Sequence, residues 1–130
     1  MSTRTRIAPT QVITNGAMSG NITSLPTILQ SISGVSYEIS WSGTSPTGTL
    51  SVQISNSYSV NPNGSVNNAG TWTTVYLDEG GTPTMTIAIS GNTGSAFIDP
   101  IETDGYAIRL IYTAASGSGT MQAYICGKVQ

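Results

Sequence analysis

The residues able to do chemistry in this chain are few, and the set is incomplete for most kinds of catalysis. The sequence holds six carboxylates, four cations, one cysteine and no histidine. Without histidine the commonest general base is missing, and with it the usual serine and cysteine triads and most zinc sites. Cys126 has no histidine base to activate it and alternates with Tyr124 and Gln122, so it reads as a small buried or edge residue. As the single cysteine it has no partner for an intrachain disulfide.

The carboxylates are dispersed. Glu38 and the pair Asp78-Glu79 fall in separate segments, and the one local cluster is Asp99, Glu102 and Asp104. Three carboxylates in six residues could hold a hard cation such as calcium through oxygen ligands, or could form a solvated loop before the next strand; the spacing matches no strong ligand signature. Paired-carboxylate sugar hydrolysis needs two carboxyls facing across a cleft, which a short chain with short loops offers little means to build. The glycine-rich stretches open no helical pattern and lack the Lys-Ser/Thr pair of a phosphate cradle, so they read as turns. The expectation is a protein that is not an enzyme and carries no cofactor and no metal.

The cations are Arg4, Arg6, Arg109 and Lys128, too few and too scattered to neutralise a run of phosphates, so nucleic acid is not an expected partner. No stretch approaches the ~20 apolar residues of a membrane span, and residues 1–20 lack the apolar run of a secretion signal. Folding in a reducing cytoplasm is therefore expected. Asn21 and Asn63 begin formal glycosylation triplets, which are read as chance in a chain rich in Asn, Ser and Thr.

Residues better suited to contact than to reaction lie in the Asn-rich stretch 56–70. Tyr58 stands between two serines, with Asn61, Asn63 and Asn67 close behind. Tyr, Ser and Asn together make an adaptable binding surface, because Tyr gives large contact area at small entropic cost. These four are the candidate partner contacts, with Arg4 and Arg6 as anchors on an acidic neighbour; a bare solvated loop and a free tail are the competing readings.

The elements that must position them are strands. Apolar and polar residues alternate in Tyr37–Trp41, Leu50–Ser55, Met85–Ser90, Tyr106–Tyr112 and Met121–Ile125, as a sheet with one dry and one wet face requires. Weaker strands are predicted at 22–30, 71–77 and 95–99, the first demoted by Pro26 to an edge or bulged strand, and a short strand around 5–13 is a further option. Residues 43–48 and 80–83 carry turn chemistry, and the Ser/Gly run 115–119 predicts a hairpin between 105–114 and 119–129. Trp41 and Tyr37 are expected in the core and Trp72 across it. The predicted architecture is all-β: a two-sheet antiparallel β-sandwich of jelly-roll or Greek-key type over residues 21–130, preceded by an extended N-terminal arm at 1–20. Only 8% of residues are charged, with a net charge of −2, against about 25% charged residues in ordinary domains. So little repulsion suits a protein that ends packed among partners.

The run Tyr37-Glu-Ile-Ser-Trp-Ser-Gly-Thr44, then Gly48-Thr-Leu-Ser-Val-Gln-Ile-Ser-Asn56, resembles small β-sandwich proteins encoded among tailed-bacteriophage virion genes. Gly70-Thr-Trp-Thr-Thr74, Tyr106-Ala-Ile-Arg-Leu-Ile-Tyr112 and Gly117-Ser-Gly-Thr-Met121 extend that likeness over roughly residues 35–129. The resemblance implies a virion structural protein, above all a head decoration or cement protein that forms symmetric homo-oligomers on the capsid. A receptor- or glycan-binding module of a tail, fibre or neck is the alternative. It implies no catalytic residues.

Overall fold

The computed structural model describes residues 6–29, 32, 34–101 and 105–128, and among them every regular element is a β-strand. Two strands dominate: β4, Gly34–Ser55, and β12, Ala107–Lys128, each 22 residues long and antiparallel to one another over nearly their whole length. Drawn out straight, such a strand would span about 70 Å. A compact chain of this size has a radius of gyration of only about 14 Å. The ribbon therefore has to turn on itself, and its side chains record where it does so.

In one half the buried cross-strand pairs are Tyr37–Ile125, Ile39–Ala123 and Trp41–Met121; in the other they are Leu50–Tyr112 and Val52–Leu110. In these pairs the buried positions are odd-numbered in the first half and even-numbered in the second, while Ser55 and Ala107 are buried as well where the ribbon ends. Each strand thus has one residue out of alternation between the halves, which exchanges the dry face for the wet one. The irregularity sits where Ser45 and Gly117 adopt positive φ, 46° and 79°, and where the register shifts around Ser116. Both strands shift together, so the pairing beyond the kink resumes in the same register.

Other strands flank the ribbon. Beside the first half lie β1, Arg6–Ala17, on β12 and β11, Thr93–Pro100, on β4. Beside the second half, β2 (Ile22–Thr23) and β3 (Thr27–Ile28) pair with β12, while β7 (Thr73–Val75) and β10 (Ile87–Ile89) pair with β4. From β11 the sheet continues to β8, Leu77–Glu79, and β9, Thr82–Thr84. A separate two-stranded sheet is formed by β5, Ser59–Val60, and β6, Val66–Asn68. Both halves of the ribbon feed one buried cluster, in which Tyr37, Ile39, Leu50, Ile98, Leu110, Tyr112, Met121 and Ile125 are wholly enclosed. Truncating one of its large aliphatic members to alanine would cost about 2–5 kcal/mol.

Local chemistry explains the joints. Pro26 interrupts pairing with β12, and the Ser24 hydroxyl fills the gap by accepting the Leu110 N–H at 2.8 Å. The next amide, of Leu25, turns to the Val12 carbonyl at 3.0 Å and ties this edge to β1. The Trp41 indole lies against Gly94 on the neighbouring strand, and its N–H donates to the Gly91 carbonyl at 3.3 Å.

Several expectations need correction. Segments 105–114 and 119–129 do not form a hairpin with each other; within the described residues both belong to β12 and both pair with β4. Likewise 43–48 is a kink inside β4. Positive-φ residues suit a bulge as well as a turn, and long-range pairing chose the bulge. Of the expected arm, residues 6–17 are a strand of the main sheet, while residues 1–5 lie outside the described residues. Tyr106 and Met85 are exposed, since each falls just ahead of its strand. Cys126 is also exposed, on the wet face of β12. The all-β class and the inward faces of the main strands match the sequence reading.

Candidate functional site

The Asn-rich stretch is an ordered hairpin hung on the second half of the sheet. Its root is Ser55, the buried last residue of β4, whose hydroxyl accepts the amides of Ser57 at 3.2 Å and Tyr58 at 3.1 Å. The Asn56 side-chain oxygen accepts the Tyr106 amide at 2.9 Å and ties the root to the start of β12. On the return, the Thr71 amide donates to the Ser57 hydroxyl at 2.8 Å. Gly70 makes the closure possible: its φ is 83°, and a Cβ there would lie 2.7 Å from Ser55 Oγ and 2.9 Å from Tyr58 Cβ. That is too close for any side chain.

The predicted contact asparagines serve the hairpin itself. Asn63 Oδ1 accepts from both the amide and the hydroxyl of Ser65, the Asn61 side-chain amide donates to Ser65 Oγ at 3.1 Å, and that of Asn67 donates to Ser59 Oγ at 3.1 Å. Asx bonds of this kind fix a tight reversal around Pro62-Asn63-Gly64. All three asparagines remain exposed at the rim. Val60 and Val66 face one another across the hairpin and are exposed as well.

Tyr58 is half-buried against Trp72, with ring centroids 5.6 Å apart and planes inclined by 50°. Arg109 lies over the Trp72 ring, its guanidinium carbon 4.2 Å from the ring centre. Its Nε donates to Gln53 Oε1 at 2.9 Å, directly across the β4–β12 ladder. The indole N–H of Trp72 donates to the Ala69 carbonyl at 2.8 Å. Partial burial pulls the Arg109 guanidinium below its usual value. Hence Tyr58, Trp72, Arg109 and Gln53 form one surface cluster that pins the hairpin to the sheet. Trp72, expected to pack across the core, is instead half-buried within this surface cluster.

The cluster has planar aromatic and guanidinium surfaces and no proton-transfer pair, so its chemistry is contact. Arg4 lies outside the described residues, and Arg6 opens β1 with its backbone opposite Lys128, far along the chain from the hairpin. Of the acidic cluster, Asp99 is placed on β11 opposite Asp78, while Glu102 and Asp104 lie outside the described residues. Among the described residues no three His, Cys, Asp or Glu side chains come together as a metal site, and no helix is long and apolar enough to cross a membrane. Comparison of the chain with protein-family models, with curated proteins and with solved structures gives no match.

Proposed function

We propose that this chain is a non-catalytic structural subunit of a tailed-bacteriophage particle, a decoration or cement protein that assembles with copies of itself on the capsid and closes as a β-sandwich. The observation that carries the reading is the composition of the surface. Away from Phe97 and Tyr124, seven large apolar side chains are exposed among the described residues, Leu25, Val66, Tyr76 and Ile101 foremost, in a chain with ten charged residues altogether. A surface so poor in repulsion favours association. The sheet also ends in an edge, β1, that carries no charge from Gln11 to Ala17 and is met within the chain at Val12 by the Leu25 amide. Edges of that kind are usually blunted by charge or covered by a neighbour. The bulges along β1 limit pairing to short runs, which fits a defined contact better than open-ended stacking. A closed symmetric oligomer covers the same edge in every copy.

The direct test is particle incorporation. An epitope-tagged chain produced during phage growth is expected in purified virions at fixed stoichiometry and in regular array by immunolabelling. Its exclusion from intact particles would refute the assignment.

A further inference from the structure

The wet face of the first half-sheet has a pattern that assembly does not require. Across three adjacent strands, Phe97, Glu38 and Tyr124 stand directly opposite one another in one row. Phe97 is 64% exposed and Tyr124 41%. Two strand spacings set their backbones about 10 Å apart. The next rows along the strands are Ser95–Ser40–Gln122 and Thr93–Ser42–Thr120. Beside the aromatic row runs a shallow groove of about 270 Å³, bounded by Pro9, Ser36, Glu38, Phe97, Tyr124 and Cys126.

From this arrangement we infer that the face binds a neutral oligosaccharide, lying across the strands with sugar rings on Phe97 and Tyr124 and hydroxyls on Glu38. A sugar ring has a C–H face and a rim of hydroxyls. The C–H face is matched by the electron-rich face of an aromatic ring. The hydroxyls are matched by a carboxylate, whose hydrogen bonds are charge-assisted. The rows beyond offer hydroxyl and amide groups, which extend the polar contact without adding charge.

Other occupants fit less well. In the three rows Glu38 is the single charge, and Asp99 adds a second beside Phe97 at the groove end, so a basic peptide would gain at most two exposed ion pairs, each worth about 0–1 kcal/mol, and meet neutral groups along the rest of the rows. A second copy docked by a two-fold axis on this row would set Glu38 against its own counterpart, a like-charge contact that desolvation makes worse.

An array of immobilised neutral and acidic oligosaccharides, with polylysine as a comparison, tests this. Retention is expected on neutral oligosaccharides of three or more sugars. F97A and Y124A should each weaken it by on the order of tenfold, and the double variant should abolish it. The control V60S, on the opposite hairpin, should bind as the parent does. All these positions are exposed, so the variants should melt within a few degrees of the parent; F97T serves as a second substitution compatible with a strand. Retention of no neutral oligosaccharide, retention indifferent to the double variant, or preference for polylysine would each overturn the inference. The oligomeric mass should be the same in F97A, Y124A and the double variant as in the parent, since the assembly reading rests on the other exposed residues and the β1 edge, so this site and the assembly reading fail separately.

Discussion

The carbonyl oxygen of Ser45 occupies the space that a side chain on Gly117 would need. The two residues meet at the kink of the β4–β12 ribbon, both with positive φ, and the inner face of each strand changes parity there. Replacing Gly117 with alanine would combine an unfavourable backbone conformation with a collision against backbone that cannot swing away. A loss of at least about 2 kcal/mol is expected from urea unfolding. Gly20→Ala, in open space, should change stability by less than about 0.5 kcal/mol.

Ser24 substitutes for a missing rung of the ladder. Its hydroxyl is enclosed and takes the Leu110 N–H beside the Pro26 interruption. Ser24→Ala strands that buried donor, with an expected cost of about 1–3 kcal/mol in chemical denaturation. Amide exchange at Leu110 should quicken more than at Leu50, whose strand is untouched.

Tyr37 is enclosed in the core, and its hydroxyl has no hydrogen-bond partner among the described residues. Burial pushes its ionisation far above the ordinary phenol range, and that of Tyr112 moves upward for the same reason. The unfolded chain releases the Tyr37 proton from about pH 10, while the folded chain retains it. The stability that Tyr37 contributes is therefore complete below pH 10 and falls as pH rises beyond it, by up to about 1.4 kcal/mol per pH unit. Tyr37→Phe removes the unpaired hydroxyl and one of the titrations. It should melt at or above the parent at pH 7 and lose less stability between pH 10 and 11.

Much of this interior could be read directly from the chain, because alternation in Tyr37–Trp41, Leu50–Ser55 and Met121–Ile125 names the dry face without reference to partners. The path of the chain could not. Ser45-Pro46 and the Ser/Gly run at 115–119 satisfy a hairpin turn and a paired bulge equally, and only their pairing with each other's strands decides. Of β1 a short strand around 5–13 is legible, but its extension to Ala17 is hidden for a related reason: three register shifts break the alternation that would have shown it. At the candidate site, Tyr58 was visible as an aromatic in a polar loop. Its companions Trp72 and Arg109 lie 37 residues apart and share no local pattern. The asparagines, predicted to reach outward, spend hydrogen bonds on their own hairpin.

Trp72→Ala removes the ring that Arg109 covers and Tyr58 packs on. The loss of global stability should be modest, about 1–2 kcal/mol, since the cluster lies outside the main core. The local effect should be larger: chymotryptic cleavage near Tyr58 is expected to rise several-fold under native conditions. Arg109→Lys should give part of the same effect, because an ammonium cannot stack flat on the indole.

The central proposition is that this domain acts by association, through a surface short of charge and a β1 edge left to be covered. Its mass in solution tests that most directly. Light scattering on a size-exclusion column at tens of micromolar should give a closed oligomer of three or more chains, stable to 0.5 M salt because apolar contact dominates it. A single 13.4 kDa species at every concentration would contradict the proposition.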